Sequence, residues 1–236
     1  MTDSNRKKIV VFTGAGISAE SGIKTFRDSG GLWEEHRIED VATPEAWQIN
    51  PELVTTFYNQ RRKQMLEAHP NDGHLALAKL EERFRVTVIT QNVDDLHERA
   101  GSTDVLHLHG ELRKSRSSID SSLVYEIDGW ELTGESKCEL GSRLRPHIVW
   151  FGEQVPMMVP ASEEVKQADI LIIVGTSLEV YPAAGLVRIA KSHCPKYFVD
   201  PKAMHIDGLH NLEVIKGRAG EALPDLVAQL IDQYGC

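Results

Sequence analysis

Short runs of apolar residues alternate along this chain with longer segments in which apolar residues recur every three or four positions. The short runs cover residues 9–12, 86–90, 105–108, 170–174, 197–199 and 212–215, and most are bounded by Gly, Asn, Asp or Ser. Continuous apolar runs of this length are typical of parallel strands that are covered on both faces. Helical patterns begin at Pro51, near residues 71–72 and at Ala219. The alternation predicts an α/β fold with a doubly wound, Rossmann-like parallel sheet.

Two segments interrupt this alternation. Residues 111–145 are rich in Ser, Arg and Glu and have few apolar positions, which predicts a small inserted module outside the main sheet. We expect a single domain whose core comprises residues 8–34, 84–110 and 146–236, with a helical insertion at 35–83 and a second insertion at 111–145. Packing inside the second insertion is expected from Leu123, Tyr125, Ile127, Trp130 and Leu132.

A glycine-rich turn follows the first predicted strand. Gly14, Gly16 and Ala19 fit the pattern G-x-G-x-x-A, in which the glycines permit a tight turn and a close approach of the backbone to a pyrophosphate. The next helix would then direct its N-terminal amides at the phosphates. A tight strand-to-helix turn without a ligand is the alternative. An acidic residue ending a second strand about 20 positions later, which a dehydrogenase would use to bind the ribose, is missing.

Composition narrows the functional classes. The chain has 236 residues and a net charge of −9, which argues against a general nucleic-acid-binding protein and is compatible with basic protein substrates. Three widely spaced cysteines do not indicate a disulfide framework. Residues 1–8 lack the apolar core of a signal peptide, and no apolar run reaches the roughly 20 residues that span a bilayer. We expect a cytoplasmic protein without membrane contact, and a monomer is the default expectation for its oligomeric state.

Five ordered blocks of sequence resemble one family. They are Gly14-Ala15-Gly16-Ile17-Ser18 with Thr25-Phe26-Arg27-Asp28, then Gln91-Asn92-Val93-Asp94, His107-Leu108-His109-Gly110, Val149-Trp150-Phe151-Gly152-Glu153, and Gly175-Thr176-Ser177-Leu178. Together they are similar to the signature of the sirtuins, the NAD-dependent protein lysine deacylases, over residues 8–230. The resemblance implies that NAD is the cofactor and that nicotinamide, O-acyl-ADP-ribose and deacylated lysine are the products.

The resemblance also implies three catalytic residues. His109 would be the general base that takes a proton from the ribose hydroxyls, a task that suits a neutral imidazole. Asn92 and Asp94 would position the nicotinamide ribose and carboxamide. From the residues alone, His109 could instead be a hydrogen-bonded structural histidine, and Asn92 and Asp94 could cap a helix over residues 93–100. His107 is expected to be structural.

Further binding residues follow from the same resemblance. Arg27 could contact a phosphate or form an exposed ion pair, and Asp200 stands where the family usually has an Asn-containing segment. The expected cofactor-binding residues are Gly14, Ala15, Gly16, Ser18, Glu20, Thr25, Phe26, Arg27, Asp28, Trp33, Gln91, Asn92, Val93, Asp94, His109, Gly175, Thr176, Ser177, Asp200, Pro201, Lys202 and Ala219. The substrate peptide is expected to add as a strand between Val149, Phe151, Gly152 and Glu153 on one side and Leu178, Glu179 and Val180 on the other.

Tyr58 and Arg61 carry an expectation about the acyl group. They lie three residues apart and therefore share a face of the helix that begins at Pro51. The pair resembles the one that marks the desuccinylase-type, bacterial-like branch of the sirtuins. A phenol hydroxyl and a guanidinium can bind the distal carboxylate of a succinyl or malonyl group. A surface arginine next to Arg62 and Lys63 is the alternative.

The second insertion departs from the family at its metal site. Most sirtuins carry two Cys-x-x-Cys pairs there, the spacing of a structural zinc site. Here Ser117 and Asp120 occupy the positions of the first pair, and Cys138 is followed by Gly141. One thiolate cannot hold a structural zinc, so no metal is expected and the module would be stabilised by packing alone.

Three other functions use part of the same sequence signal. A mono-ADP-ribosyltransferase would use the same cofactor and pocket. A non-catalytic NAD-sensing module would not need the base His109. A Rossmann dehydrogenase would need the acidic ribose partner that is missing.

Overall fold

The computed structural model describes residues 6–24, 32–33 and 36–235. The strands are β1 (Lys8–Thr13), β2 (Leu32–Trp33), β3 (His36–Arg37), β4 (Arg85–Thr90), β5 (Val105–His107), β6 (Gly110–Ser117), β7 (Val124–Glu126), β8 (Leu144–Ile148), β9 (Ile170–Val174), β10 (Lys196–Val199) and β11 (Leu212–Ile215). The α-helices are α1 (Gly16–Ala19), α2 (Ile38–Val41), α3 (Pro44–Ile49), α4 (Pro51–Glu67), α5 (Asp72–Lys79), α6 (Leu96–Ala100), α7 (Met158–Gln167) and α8 (Ala219–Tyr234). Within the described ranges, 3₁₀ segments cover Leu80–Glu82 and Ala183–Ile189.

A parallel sheet forms the centre of the molecule. Its strand order is β11-β10-β9-β1-β4-β5, and every neighbouring pair is parallel. The chain first builds one half of the sheet outward from β1 and then returns to build the other half from β9. This is the doubly wound Rossmann order, with its switch point between β1 and β9. The predicted fold class is confirmed.

Apolar layers cover both faces of the sheet. Ile9 and Val11 of β1 pack with α5 and α8 on one face. Val10 and Phe12 pack with α7 and the 3₁₀ segment Ala183–Ile189 on the other face. All four side chains are fully buried. Because side chains alternate along a strand, an apolar run such as residues 9–12 supplies both cores. Helix α5 begins behind its N-cap, Asn71, whose side chain accepts from the Gly73 amide.

A second, antiparallel sheet lies outside the main one. It has the order β7-β6-β8, and β8 pairs with β6 through Ile148. A third core joins this sheet to α4 and contains Phe57, Tyr58 and Trp150. Strand β8 therefore extends the small sheet beyond residue 145. The division into a core and two insertions stays a prediction.

The helix after the glycine-rich turn, α1, has a single turn of four residues. One expectation about helix extent was wrong. Helix α6 begins at Leu96, with Asp95 as its N-cap residue, and not at Val93, because residues 91–95 form the turn that follows β4. None of the helices in the described ranges is both long and apolar enough to cross a membrane.

The small sheet is held by more than packing. Cys138 lies in a hydrogen-bonded cluster with Ser117 and Ser142, at 3.5 and 3.1 Å from their Oγ atoms, and the two serine oxygens are 2.8 Å apart. These hydrogen bonds lower the pKa of the Cys138 thiol to about 7. Leu123, Tyr125, Ile127 and Leu132 pack together in the small sheet as expected. Trp130 was expected with them but is 42% exposed, and the hydrogen bonds of Cys138 show that packing is not the sole stabilising contact. In the chain that the structure describes, no group of three or more His, Cys, Asp or Glu could hold a metal ion.

Candidate active site

The glycine-rich turn lies against the end of β9, at the switch point of the sheet. The Gly14 amide donates to Val174 O at 3.0 Å, and the Gly16 amide donates to Gly175 O at 2.8 Å. A Cβ atom at Gly16 would lie 2.7 Å from Gly175 Cα, so only glycine fits here without displacing the backbone. Gly14, Ala15 and Gly16 together present no side chain larger than a methyl group. That surface fits the pyrophosphate of a dinucleotide, which needs close backbone approach.

The amides of α1 are already used within the loop. Ile17 N donates to Gly14 O at 3.2 Å and Ser18 N to Ala15 O at 3.1 Å, while Gly16 N is bound to Gly175 O. A one-turn helix also has little dipole. Several amides at the start of this helix are therefore engaged by backbone carbonyls, and contact between the helix start and phosphates stays a prediction. The small side chains and close packing of the turn suit the close approach of a cofactor.

Ser18, Asn92 and Asp94 form a buried polar cluster between the first turn and the turn after β4. Ser18 Oγ donates to Asp94 Oδ2 at 3.0 Å. Asn92 Nδ2 donates to Ser18 Oγ at 3.1 Å and to Gly14 O at 3.2 Å. Burial raises the pKa of the Asp94 carboxyl, although hydrogen bonds from Leu96 N and Ser18 oppose this effect. Asp94 Oδ1 accepts weakly from Leu96 N at 3.3 Å, so Asp94 contacts the first turn of α6 while Asn92 faces the glycine-rich turn.

His109 follows β5 and contacts the same turn. Its Nδ1 lies 3.0 Å from Gln91 O. Because a carbonyl oxygen can only accept, Nδ1 carries the proton and Nε2 keeps its lone pair. Burial lowers the pKa of His109, an effect only partly offset by that hydrogen bond. Gln91 Nε2 in turn donates to Thr176 Oγ1 at 3.0 Å, which links the turn to the loop after β9.

His107 has two firm partners. Its ring nitrogens lie 3.0 Å from Asn92 O and 2.7 Å from Glu98 Oε1. Burial lowers the pKa of His107, but the hydrogen bond and the charge of Glu98 together raise it by more, so the net shift of this pKa is upward. These contacts agree with the expected structural role and hold the backbone of Asn92.

Other expected cofactor residues lie in turns that follow the strands and at the start of α8. Glu20 Oε2 accepts from the Gly220 amide at 2.7 Å, so its carboxylate lies at the N-terminus of α8 beside Ala219. Asp200 Oδ1 accepts from Lys202 N at 2.8 Å, which makes a tight turn at Pro201 after β10. Val93 O accepts from Leu112 N at 2.8 Å. Thr176 and Ser177 line a cavity of about 410 Å³ together with Asp200 and Lys202.

Tyr58 and Arg61 lie in the interior of the protein rather than on its surface. Tyr58 is fully buried and Arg61 is 8% exposed, so the alternative of a surface arginine was wrong. The Arg61 guanidinium lies 5.8 Å from the centroid of the Phe57 ring. Trp150 Nε1 donates to the Tyr58 hydroxyl at 3.1 Å. Burial raises the pKa of Tyr58, and the charge of Arg61 opposes this rise. Tyr58 is therefore a neutral phenol close to a cation.

Glu153 is held by a network of its own. Its carboxylate accepts from Arg116 and Arg145 and from the Trp150 amide. The Arg145 guanidinium also lies 3.2 Å from the centroid of the Trp150 ring. Glu153 thus fixes the loop of residues 149–153, while a direct contact with substrate stays a prediction.

The other expected substrate residues border the same loop. Val149 N donates to His109 O at 2.9 Å, and Phe151 N donates to Ala42 O at 3.0 Å. Phe151 is 49% exposed, Val180 is 40% exposed, and Gly152 and Glu179 are also exposed. Leu178 has a φ of +59°, a strained value for a leucine. The structure therefore leaves apolar side chains at the surface of both segments.

Some expected residues cannot be placed. Thr25, Phe26, Arg27 and Asp28 lie outside the described residues, and Trp33 is described only as part of the two-residue strand β2.

Sequence reasoning missed three residues of this region and one contact. Thr13 and Thr90 are the last residues of β1 and β4, are fully buried and are hydrogen-bonded to each other. The polar residues at the ends of these apolar strands were a usable signal. No local signal indicated Arg145 or the contact of Trp150 with Tyr58, because these contacts depend on the folding of the small sheet and its packing against α4.

Comparison with known proteins agrees with this geometry. A family model described as the Sir2 family matches residues 14–182. A protein of Helicobacter pylori strain J99 named NAD-dependent protein deacylase is 53% identical over 228 residues, which are 96% of each chain. A solved complex of a Sir2 homologue with NAD has a TM-score of 0.86 and 40% identity, covering 98% of this chain and 92% of that one.

A further solved structure contains an acetylated ADP-ribose. It is a mutant Sir2 homologue in complex with 2'-O-acetyl ADP-ribose, with a TM-score of 0.87 and 39% identity, and it covers 100% of this chain and 96% of that one. The family model covers more than half of the sequence, and the structural likeness extends over the whole doubly wound sheet and the small one. This chain belongs to the Sir2 family.

Proposed function

We propose that this protein is an NAD-dependent protein lysine deacylase that prefers acyl groups ending in a carboxylate, such as succinyl and malonyl, and also accepts acetyl groups. Its substrates would be acylated proteins or peptides. NAD, when bound, supplies the ADP-ribosyl group that receives the acyl group, so that nicotinamide and O-acyl-ADP-ribose are released. The buried pair of Tyr58 and Arg61, held beside the substrate loop by Trp150, carries the acyl preference.

His109 is proposed as the general base. The hydrogen bond from Nδ1 to Gln91 O fixes the tautomer and leaves the Nε2 lone pair to take a proton from a ribose hydroxyl. Burial keeps the imidazole neutral at neutral pH by lowering its pKa. A base must be unprotonated to act, so this environment suits the role.

Asn92, Asp94 and Ser18 are proposed to hold the nicotinamide ribose. Their hydrogen bonds join the glycine-rich turn to the turn after β4, which fixes the polar groups before any ligand binds. A site organised in this way loses little free energy on ordering. Gly14, Ala15, Gly16, Thr176 and Ser177 would hold the phosphates and the adenosine side.

Tyr58 and Arg61 are proposed to bind the distal carboxylate of the acyl group. A charge-assisted hydrogen bond contributes about 1.5–3 kcal/mol, and it gains from the low exposure of Arg61, because a weakly hydrated site screens charge less. An acetyl group offers no anion to this guanidinium. The preference for acidic acyl groups is therefore expected to be about 10–100-fold.

The test compares Arg61→Met with Lys63→Met. Both remove a cation from α4, but Lys63 is on the exposed side of the helix. Arg61→Met should lower kcat/KM for a succinyl-lysine peptide about 10–100-fold while sparing or improving the acetyl-lysine peptide, and Lys63→Met should change neither. Tyr58→Phe should act in the same direction more weakly, because it removes one neutral hydrogen bond. An equal fall for both peptides in Arg61→Met, with an unchanged Tm, would contradict the acyl preference and leave the deacylase function standing.

The free cysteines bear on the cellular location of the protein. Cys138 and Cys194 are free thiols, which is usual for a protein in a reducing compartment. We propose a cytoplasmic location. The oligomeric state stays a prediction, with a monomer as the default.

A further inference from the structure

Three buried side chains form a hydrogen-bonded chain beneath the turn that carries Asn92. Thr13 and Thr90 face each other in the register of β1 and β4. The Thr13 hydroxyl donates to Thr90 Oγ1 at 2.8 Å, and the Asn92 amide donates to the same Thr90 oxygen at 3.0 Å. His97 Nε2 lies 3.0 Å from Thr13 Oγ1. Thr13, Thr90 and His97 are completely buried, so no solvent competes for these hydrogen bonds.

The two threonines fix the direction of these hydrogen bonds. Because the Thr13 hydroxyl donates its hydrogen bond to Thr90, the Thr13 oxygen must accept from His97 Nε2–H. His97 is therefore the tautomer protonated at Nε2. Burial lowers its pKa well below the usual value, and nearby His74 and His107 act in the same direction, so the ring is neutral. His97 Nδ1 has no hydrogen-bond partner among the described residues, which leaves the Nε2 contact as the polar anchor of this ring.

The turn held by these hydrogen bonds carries several groups of the candidate active site. Asn92 Nδ2 contacts Gly14 O and Ser18 Oγ, while Gln91 O receives the hydrogen bond of His109 Nδ1. A shift of the Asn92 amide would therefore displace both the expected ribose-binding group and the carbonyl that orients the base.

We propose that His97 is a positioning residue for deacylation, which acts through the hydroxyls of Thr13 and Thr90 to fix the main chain at Asn92. It touches neither cofactor nor substrate. The alternative is a histidine that only fills the core, where it packs edge-on against the ring of His74 with centroids 4.9 Å apart. The two roles differ in whether the position of one nitrogen atom matters.

A pair of substitutions separates them. Glutamine places its amide nitrogen near the position of imidazole Nε2, whereas asparagine reaches only the position of Nδ1. His97→Gln should therefore keep the contact with Thr13, and His97→Asn should lose it. A core-filling histidine would give no advantage to His97→Gln beyond what the Tm of the two variants explains.

The first readout needs no cofactor. In the protein without ligand, hydrogen exchange of the Asn92 amide, followed by NMR, should be about tenfold faster in His97→Asn than in wild type, because that amide loses a supported acceptor. It should stay close to wild type in His97→Gln, and the amides of β4 should not change in either variant. Equal exchange at Asn92 in the two variants would overturn the proposal.

The second readout rests on the proposed function. With NAD and a succinyl-lysine peptide, His97→Asn should lower kcat about 10–100-fold, since small misplacements of reacting groups are costly, with less effect on the KM for peptide. His97→Gln should restore most of kcat. Unequal exchange at Asn92 with equal kcat in the two variants would overturn the catalytic part of the proposal. If wild type itself released no nicotinamide, the proposed function would fail while the exchange result would still decide the role of His97.

The threonines provide an independent check where His97 variants fold poorly. Thr90→Val keeps the shape of the side chain but removes the acceptor of the Asn92 amide, and Thr90→Ser retains it. Faster exchange at Asn92 and lower kcat in Thr90→Val than in Thr90→Ser would support the proposal that the threonine hydroxyls fix the main chain at Asn92. Equal behaviour of the two variants would contradict it.

Discussion

The ion-pair network around Glu153 makes a quantitative prediction about stability. Glu153 accepts two hydrogen bonds from Arg116 Nη2 at 3.1 and 3.2 Å, and two from Arg145 at 2.7 and 3.1 Å. The Trp150 amide adds a fifth at 2.8 Å. The three charged side chains are only 12%, 9% and 20% exposed, for Arg116, Arg145 and Glu153 respectively. Among the residues that the structure describes, Glu153 is thus the one carboxylate that pairs with these two poorly solvated cations.

Glu153→Gln removes that charge and keeps the shape. Removing one partner of a buried ion pair costs about 3–5 kcal/mol. Partial exposure and the hydrogen bonds that the glutamine oxygen can still accept reduce this figure, so we expect a loss of about 2–3 kcal/mol in the free energy of unfolding. The small sheet and the loop at Trp150 should be the parts most affected.

The same carboxyl should make stability depend on pH. Burial alone would raise the pKa of Glu153, but hydrogen bonds from Arg145 and the Trp150 amide outweigh it and lower the pKa below its usual value. A carboxyl with a lowered folded-state pKa stabilises the protein above its unfolded-state pKa, about 4.3, and this contribution is lost as the pH falls through the folded-state value. The difference between wild type and Glu153→Gln should therefore be full at pH 7 and should shrink below about pH 4.

Urea unfolding at pH 7 and below about pH 4 measures the difference in unfolding free energy between wild type and Glu153→Gln, with Glu163→Gln as the control. Glu163 pairs with Lys166 at 2.7 Å, but the two side chains are 56% and 54% exposed. Such a surface pair contributes little, so the control should stay within about 0.5 kcal/mol of wild type. A loss in Glu153→Gln no larger than in Glu163→Gln would show that the network does not hold the loop.

Three further outcomes follow from the site and the small sheet. His109→Ala should keep NAD binding, measured by calorimetry, but lose about 10²–10⁴-fold in turnover. Near-wild-type turnover in this variant would remove His109 from the mechanism. In wild type, the acidic limb of the pH–kcat profile should lie below the ordinary histidine pKa, because burial lowers the pKa of His109. Trp150→Phe keeps the ring beside Arg145 but deletes the donor to Tyr58, so kcat/KM for succinyl-lysine should fall about fivefold with little change for acetyl-lysine, and equal losses would argue against a role in acyl preference. The purified protein should contain no stoichiometric zinc and its Tm should not respond to a chelator, because Cys138 is bound between two serines; one zinc per chain by elemental analysis would refute this.

The sequence predicted those parts of the fold that local patterns determine. The run of residues 170–174 is β9, Asn50 and Pro51 begin α4, and α8 runs from Ala219 to Tyr234. Each depends on an apolar period or a capping residue within a few positions. The blocks at residues 14–18 and 91–94 each follow a strand of the predicted parallel sheet, and hydrogen bonds join them.

What the sequence could not predict depends on distant partners. The carboxylate of Glu20 contacts the amide of Gly220, 200 residues away, and its expected contact with the cofactor stays a prediction. The Trp150–Tyr58 hydrogen bond joins residues 92 positions apart. The serine–cysteine cluster likewise joins Ser117 at the end of β6 to Cys138 and Ser142, which lie 21 and 25 positions later. A pairwise contact of this kind has no local period, so only the folded chain reveals it.

The most direct test of the proposed function is to incubate the protein with NAD and matched acetyl-, succinyl- and malonyl-lysine peptides and to follow all products by mass spectrometry. We expect deacylated peptide, nicotinamide and free O-acyl-ADP-ribose in equal amounts, formed faster from the succinyl and malonyl peptides than from the acetyl peptide. ADP-ribose attached to protein or peptide, with the acyl-lysine intact, would indicate a transferase instead. NAD that binds without being consumed would contradict catalysis altogether.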